Sequence, residues 1–150
     1  MIRIILASHG RLAEGMKGSV ELILGSGIPV DTICAYCDAD VTLEEQIDRV
    51  FSAIPEEDVI IVVTDVFGGS VNNEFMKRTV SGRFELIAGM SMSLVIQLVE
   101  LAGDASLLDA DGTVHRDKLA AAFQAAIQEA RGGQLYCNPL LDTCSVKDDF

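Results

Sequence analysis

The sequence alternates short, uninterrupted apolar runs with longer segments in which apolar residues recur at helical spacing. The most pronounced run is Val59-Ile60-Ile61-Val62-Val63, which contains only β-branched aliphatic residues. A run without polar interruption is typical of a strand buried on both faces, in a parallel sheet that helices cover on each side. We therefore predict an α/β fold with this run at the centre of its sheet.

Three further runs, at residues 2–7, 29–36 and 84–88, complete the set of clear predicted strands. The segments between them carry apolar residues every three or four positions, which is the periodicity of amphipathic helices. The stripe of the first helix consists of Leu12, Met16, Val20, Ile23 and Leu24. Thr42 followed by Glu45 forms a capping box that predicts the start of the second helix. Further helices are predicted over residues 70–80, over 94–101, which is apolar on nearly every side, and before Gly132-Gly133, where Leu119, Phe123, Ala126, Ile127 and Ala130 form a stripe.

Strands that alternate with helices of this length imply βαβ units and right-handed crossovers. We predict a single-domain, doubly wound, mainly parallel sheet with helices on both faces. Residues 134–137 are a candidate for a short final antiparallel strand. We assign residues 1–137 to the domain and 138–150 to a C-terminal tail with no assigned role.

Charge and hydropathy restrict the classes of partner and the cellular compartment that we expect for this chain. The formal net charge of −12 argues against nucleic acid as a partner and would favour a protein with a basic face. No apolar run approaches the ~20 residues that cross a bilayer, and the N-terminus lacks the cleavage site of a signal peptide. We therefore expect a cytoplasmic protein.

The four cysteines, Cys34, Cys37, Cys137 and Cys144, predict no metal site. The first two form a C-x-x-C pair, but the other two have the wrong spacing for the second half of a zinc site. A thioredoxin-like redox pair usually opens a helix, whereas Cys34 and Cys37 end an apolar strand. Reduced thiols that act as small hydrophobic side chains are the favoured interpretation.

Two loops carry the side chains that are candidates for taking part in a reaction. In an open α/β sheet, ligands bind beyond the carboxyl ends of the strands. Ser8-His9-Gly10 follows the first strand, and residues 65–70, Asp65-Val66-Phe67-Gly68-Gly69-Ser70, follow the central one. We expect both loops to face one crevice.

Their residue types fit phosphoryl chemistry on a histidine. A neutral imidazole is a nucleophile near pH 7, and a carboxylate such as Asp65 could orient it. Gly68 and Gly69 would let the backbone approach closely, and Ser70 with the amides that open the next helix could hold phosphate oxygens. Other interpretations stay open: His9 as a structural hydrogen bonder, Asp65 as a helix cap and the glycines as turn residues. His115, among charged neighbours, is expected to be solvated.

These residues resemble the IIA component of the mannose-family sugar phosphotransferase system (PTS). The resemblance rests on His9-Gly10 with the residues up to Met16, on the 64–70 loop with Asn73, and on Ala88-Gly89-Met90 before the 94–101 helix. It covers roughly the first 130 residues. Two positions depart from the family pattern: Val71 stands where proline is usual, and Met90 begins a changed segment. These departures concern the rim of the site.

The resemblance implies a phosphotransferase relay. The histidine matching His9 would accept a phosphoryl group from the phosphocarrier HPr and pass it to a IIB component, with membrane IIC and IID components involved indirectly. Asp65 would hydrogen-bond the imidazole, and Gly68, Gly69 and Ser70 would lie beside the phosphoryl group. The resemblance implies no metal or organic cofactor and a homodimer. The alternatives are the phosphocarrier subunit of a dihydroxyacetone kinase and a non-catalytic regulatory module on the same fold.

Overall fold

The structure, a computed structural model, describes residues 1–109 and 113–139. Strands and helices alternate as predicted. In chain order they are β1 (Ile2–His9), α1 (Leu12–Leu24), β2 (Val30–Ala35), α2 (Leu43–Ser52), β3 (Val59–Thr64), α3 (Ser70–Arg78), β4 (Phe84–Ala88), α4 (Met92–Ala102) and α5 (Arg116–Gly132). Short 3-10 helices, Thr79–Ser81 and Ala105–Leu107, follow α3 and α4. No helix within the described residues is both long and apolar enough to cross a bilayer.

The strands form one sheet in the order β2-β1-β3-β4, and every neighbouring pair is parallel. This confirms the predicted α/β fold and the central position of β3. The chain runs outward from β1 to β2 and then returns to place β3 on the other side of β1. Parallel α/β sheets open a crevice where the strand order reverses in this way, so the carboxyl ends of β1 and β3 flank the ligand-binding position of the fold.

Two apolar clusters cover the two faces of the sheet. Because successive side chains of a strand point to opposite faces, Ile61 and Val63 pack with α1, α4 and α5, whereas Ile60 and Val62 pack with α2 and α3. All four side chains are fully buried. This two-sided burial is the physical reason for the uninterrupted apolar run.

Local signals in the helices were only partly reliable. The capping box is confirmed, since Thr42 Oγ1 accepts the Glu45 N–H at 3.1 Å and Glu45 Oε2 accepts the Thr42 N–H at 2.8 Å. The apolar periodicity of α1 overstates its buried face, because Ile23 is 58% exposed. This helix packs instead along the narrower line of Ala13, Met16 and Val20.

The predicted final strand at residues 134–137 is wrong for the single chain. The Gly133 N–H donates to the Ala130 carbonyl and closes α5, after which Leu135 and Tyr136 are exposed. No strand of the described chain lies beside this segment, and a strand requires a hydrogen-bonding neighbour. The proposed boundary at residue 137 stays a prediction, and the tail from residue 140 onward, with Cys144, lies outside the described residues.

Candidate functional site

His9 is the last residue of β1 and stands at the crevice between β1 and β3. Gly10 follows with φ of 59°, a left-handed conformation that turns the chain toward α1. Ser8 is buried, and its Oγ accepts the Ala13 N–H at 2.8 Å, which fixes the start of that helix. The His9 side chain remains 41% exposed, so a partner can reach the ring.

Asp65 directly follows β3 and binds His9 twice. Its Oδ2 accepts the His9 backbone N–H at 2.8 Å and lies 2.7 Å from Nδ1 of the imidazole. Its Oδ1 accepts the Val66 N–H at 2.9 Å. The N-cap residue of α3 is Gly69, so the alternative in which Asp65 caps that helix is wrong.

The electrostatic environment keeps Asp65 ionised. Burial alone would raise the pKa of this carboxyl, but the hydrogen bonds from the His9 N–H, the His9 ring and the Val66 N–H outweigh burial and lower the pKa below its ordinary value of 3.8. A carboxylate can only accept hydrogen bonds, so Nδ1 carries the proton that faces it. In the neutral ring, Nε2 then holds the free lone pair.

The 65–70 loop brings backbone and hydroxyl groups against this ring. Ser70 Oγ lies 3.0 Å from Nε2 of His9. A Cβ on Gly69 would lie 3.1 Å from Cε1 of the imidazole and 2.8 Å from Cγ1 of Val66, so only glycine lets the loop approach this closely. Gly68 has φ of 78°, which an L side chain rarely adopts.

Asn72 and Asn73 hold the turn at Gly68. Of the two, only Asn73 was among the residues singled out from the sequence. Asn72 is buried, where its Nδ2 donates to Thr64 Oγ1 at 2.9 Å and its Oδ1 accepts the Gly68 N–H at 3.1 Å. Asn73 Nδ2 donates to the Gly68 carbonyl at 2.9 Å. Val71, which replaces the expected proline, is fully buried and leaves the start of α3 at Ser70. The only sequence signal for a buried Asn72 was its position directly after the apolar Val71, in the first turn of a helix.

Tyr36 is a further site residue that sequence reasoning missed. It follows Ala35, the residue of β2 that lies opposite His9 in the register. Its hydroxyl donates to Ser70 Oγ at 2.8 Å, and its ring centroid lies 5.7 Å from that of the imidazole. Its position directly after a strand next to β1 was the available signal.

The other candidate residues stand apart from this arrangement. Cys34 is half-buried and Cys37 exposed, and both are free thiols. Burial raises the pKa of the Cys34 thiol, which disfavours the reactive thiolate. His115 is not simply solvated, as expected from its neighbours, because it pairs with Asp109 through Nε2. Within residues 1–109 and 113–139, no three His, Cys, Asp or Glu side chains are grouped so as to hold a metal ion.

The geometry therefore gathers His9, Asp65, Gly69 and Ser70 at one point. The imidazole is fixed through Nδ1, and Nε2 faces a hydroxyl at the N-terminus of α3. Helix N-termini attract anions through their free N–H groups and the helix dipole. This set can orient a nucleophilic nitrogen and accommodate a negatively charged group bound to it.

Comparisons with known proteins identify the family of the chain. The family model of the PTS system fructose IIA component, EIIA-man, matches residues 3–116. The fructose-specific EIIA component of Bacillus subtilis is 24% identical over 111 residues, which make up 73% of this chain and 76% of that protein.

Solved structures extend the similarity over nearly the whole chain. A structure from Klebsiella pneumoniae, assigned to a phosphoenolpyruvate-dependent sugar PTS permease, superposes with a TM-score of 0.78 at 34% identity and covers 93% of each chain. The PTS component EIIA of Streptococcus agalactiae has the same fold, with a TM-score of 0.70 at 22% identity over 96% of this chain and 100% of that one. The chain therefore belongs to the EIIA-man family, the mannose/fructose-type IIA components of the sugar phosphotransferase system.

Proposed function

We propose that His9 is the residue that carries the phosphoryl group, accepting it from phospho-HPr and donating it to a IIB component. Membership of the family implies phosphoryl transfer in a sugar PTS. The observation that supports the residue assignment is the two-sided hold on the imidazole. Asp65 lies 2.7 Å from Nδ1, while Nε2 faces Ser70 and the N-terminus of α3.

The transfer begins when the Nε2 lone pair of His9 attacks the phosphorus of the donor phosphohistidine. The new Nε2–P bond forms as the donor N–P bond breaks, and the electron pair of that bond returns to the donor imidazole. Nδ1 keeps its proton throughout. Positive charge therefore develops on the His9 ring, where the Asp65 carboxylate stabilises it.

The loop groups act on the phosphoryl oxygens. The Ser70 hydroxyl, which faces the Nε2 lone pair before transfer, can turn to a phosphoryl oxygen once the Nε2–P bond occupies that lone pair. Gly69 has no side chain at the position that lies 3.1 Å from Cε1 of the ring, which leaves space for the group there. In the second step, a nucleophile of the IIB component attacks phosphorus, and the electron pair of the Nε2–P bond returns to His9.

The surface around the ring suits a protein as the transfer partner. Val66 and Phe67, on the 65–70 loop, are 53% and 77% exposed, and such apolar side chains commonly anchor protein interfaces. The net charge of −12 would steer a partner with a basic face toward the molecule. In this proposal the membrane IIC and IID components act after IIB, and the homodimer remains a prediction.

Intact mass measurement tests the residue assignment. The protein is incubated with phosphoenolpyruvate, enzyme I and HPr, and we expect the mass of one added phosphoryl group that is labile in acid. His9→Ala should gain none. His115→Ala is the matched control, because its imidazole also pairs with an aspartate but lies away from the 65–70 loop. Full labelling of His9→Ala, or no labelling of the wild type, would overturn the proposal.

A further inference from the structure

Tyr36 has an unusual backbone for an aromatic residue. Its φ of 64° makes it the one non-glycine residue with positive φ among residues 1–109 and 113–139. The left-handed conformation is unfavourable for an L residue, because it brings the Cβ too close to the following carbonyl oxygen. The Tyr36 side chain is 61% exposed, so burial of its ring does not offset this cost. Residues held in this region cluster at functional sites. The contacts of the Tyr36 side chain are therefore candidates for a functional role.

The side chain of Tyr36 ends a directed chain of hydrogen bonds. Its hydroxyl donates to Ser70 Oγ at 2.8 Å, and Ser70 Oγ lies 3.0 Å from Nε2 of His9. A hydroxyl has one proton and two lone pairs. Because Asp65 holds the ring proton on Nδ1, Nε2 of the neutral ring accepts the Ser70 proton, and one Ser70 lone pair receives the Tyr36 proton.

We infer that Tyr36 is a positioning residue for phosphoryl transfer, which orients the Ser70 hydroxyl toward the reacting nitrogen of His9. The inference rests on the proposed function of His9. With one lone pair of Ser70 Oγ bound to the phenol, the hydroxyl has fewer directions in which to point its proton. That proton therefore faces Nε2 before transfer and the adjacent phosphoryl oxygen afterwards.

Tyr36→Phe removes the phenolic hydroxyl and keeps the ring. In single-turnover transfer from phospho-HPr, we expect a maximal rate about fivefold below wild type, the effect of losing one neutral hydrogen bond. The HPr concentration at half-maximal rate should not change. Tyr136→Phe, which alters the other tyrosine of the chain at an exposed position, should transfer at the wild-type rate. An unchanged maximal rate in Tyr36→Phe, or a loss confined to the half-saturating concentration, would overturn the inference.

A double-mutant cycle tests whether Tyr36 acts through Ser70. In a Ser70→Ala background the phenol has no hydroxyl to orient, so adding Tyr36→Phe should change the maximal rate by less than about twofold. If the losses of the two single variants simply multiply, Tyr36 acts independently of Ser70 and the inference is wrong.

A spectroscopic measurement separates this inference from the proposed function. In the unphosphorylated protein, the 15N resonance of His9 Nε2 should move in Tyr36→Phe and in Ser70→Ala but not in Tyr136→Phe. This comparison needs no phosphoryl donor. A wild type that takes no phosphoryl group would overturn the proposed function, whereas an unmoved Nε2 resonance in Tyr36→Phe beside an active wild type would overturn the role of Tyr36 alone.

Discussion

Two aspartates flank the central strand β3 and lie at opposite ends of the sheet. Asp58 precedes the strand, and its carboxylate binds the N-terminal ammonium of Met1 at 2.5 Å and Arg3 Nε at 3.4 Å. Asp65 follows the strand and binds the imidazole of His9 at 2.7 Å. Both side chains are largely buried, with 5% and 12% of their surface exposed.

The two carboxylates differ in the chemistry of their partners. For each, burial alone would raise the pKa, and hydrogen bonds and nearby charge lower it below the ordinary value. The direction of a pKa shift therefore cannot separate a structural aspartate from a functional one here. Asp58 has two cationic partners, the Met1 ammonium and Arg3, and holds them in place at the start of the sheet. His9 can become a nucleophile at its other nitrogen, so Asp65 can also control a reaction.

Of the substitutions at the two ends of the sheet, Asp65→Asn should have the largest effect on the rate of phosphoryl transfer. The amide can donate a hydrogen bond to Nδ1, which favours the tautomer that carries its proton on Nε2 and removes the nucleophilic lone pair. We expect phosphoryl transfer to slow by about a hundredfold or more. Transfer rates from phospho-HPr, with 15N spectra of the imidazole to identify the tautomer, would check this.

The stability of the same variant provides the control. The amide that replaces the carboxylate has nearly the same shape, and its oxygen could still accept a backbone N–H from Val66 or His9. We therefore expect Asp65→Asn to lose only about 1 kcal/mol of unfolding free energy. A transfer rate within threefold of wild type would mean that Asp65 fixes the loop without acting on the ring.

Asp58→Asn should show the opposite pattern. It removes a buried negative charge from the Met1 ammonium and Arg3, and hydrogen bonds to charged groups contribute about 1.5–3 kcal/mol each. We expect a loss of about 2 kcal/mol in unfolding free energy, measured by denaturant titration, with transfer within twofold of wild type. A large loss of transfer in the folded variant would contradict the assignment of Asp58 to structure.

The sequence was sufficient to predict that His9 and Asp65 lie together, because each lies directly at the carboxyl end of a strand. Strand ends can be located from apolar runs, and in a parallel sheet these ends share one edge. The roles of Tyr36 and Asn72 could not be predicted in this way. Tyr36 reaches Ser70 only through a left-handed turn, and Asn72 binds Thr64 from the buried side of a helix. Neither contact leaves a periodic signal.

The final strand at 134–137 failed for a related reason. Its residue types permit a strand, but a strand exists only where a neighbouring backbone supplies hydrogen bonds. Apolar periodicity records burial and says nothing about such pairing. In α1 the periodicity overstates burial itself, because Ile23 fits the helical stripe and yet is 58% exposed.

Gly69→Ala tests whether the close contact between the 65–70 loop and the His9 ring matters for transfer. The added methyl would press on the imidazole Cε1 and the Val66 side chain, so we expect the ring to shift and transfer to slow by about tenfold. Gly18→Ala is the matched control, because Gly18 is exposed within α1 and a Cβ there meets open space. That control should gain about 0.5–1 kcal/mol of stability and transfer normally. Normal transfer by Gly69→Ala would show that the loop moves to accommodate the methyl group without displacing the ring.

The pH dependence of stability gives the smallest and most specific test of the Asp58 end. A carboxyl whose folded-state pKa lies below its unfolded value stabilises the fold above the unfolded pKa and loses that contribution as pH falls through the folded one. The ordinary value for Asp58 is 3.8. The difference in unfolding free energy between wild type and Asp58→Asn should therefore be constant near neutral pH and narrow below about pH 4. If the difference between the two proteins is the same at about pH 3 as at pH 7, the charge of Asp58 contributes nothing, and its packing accounts for the whole effect.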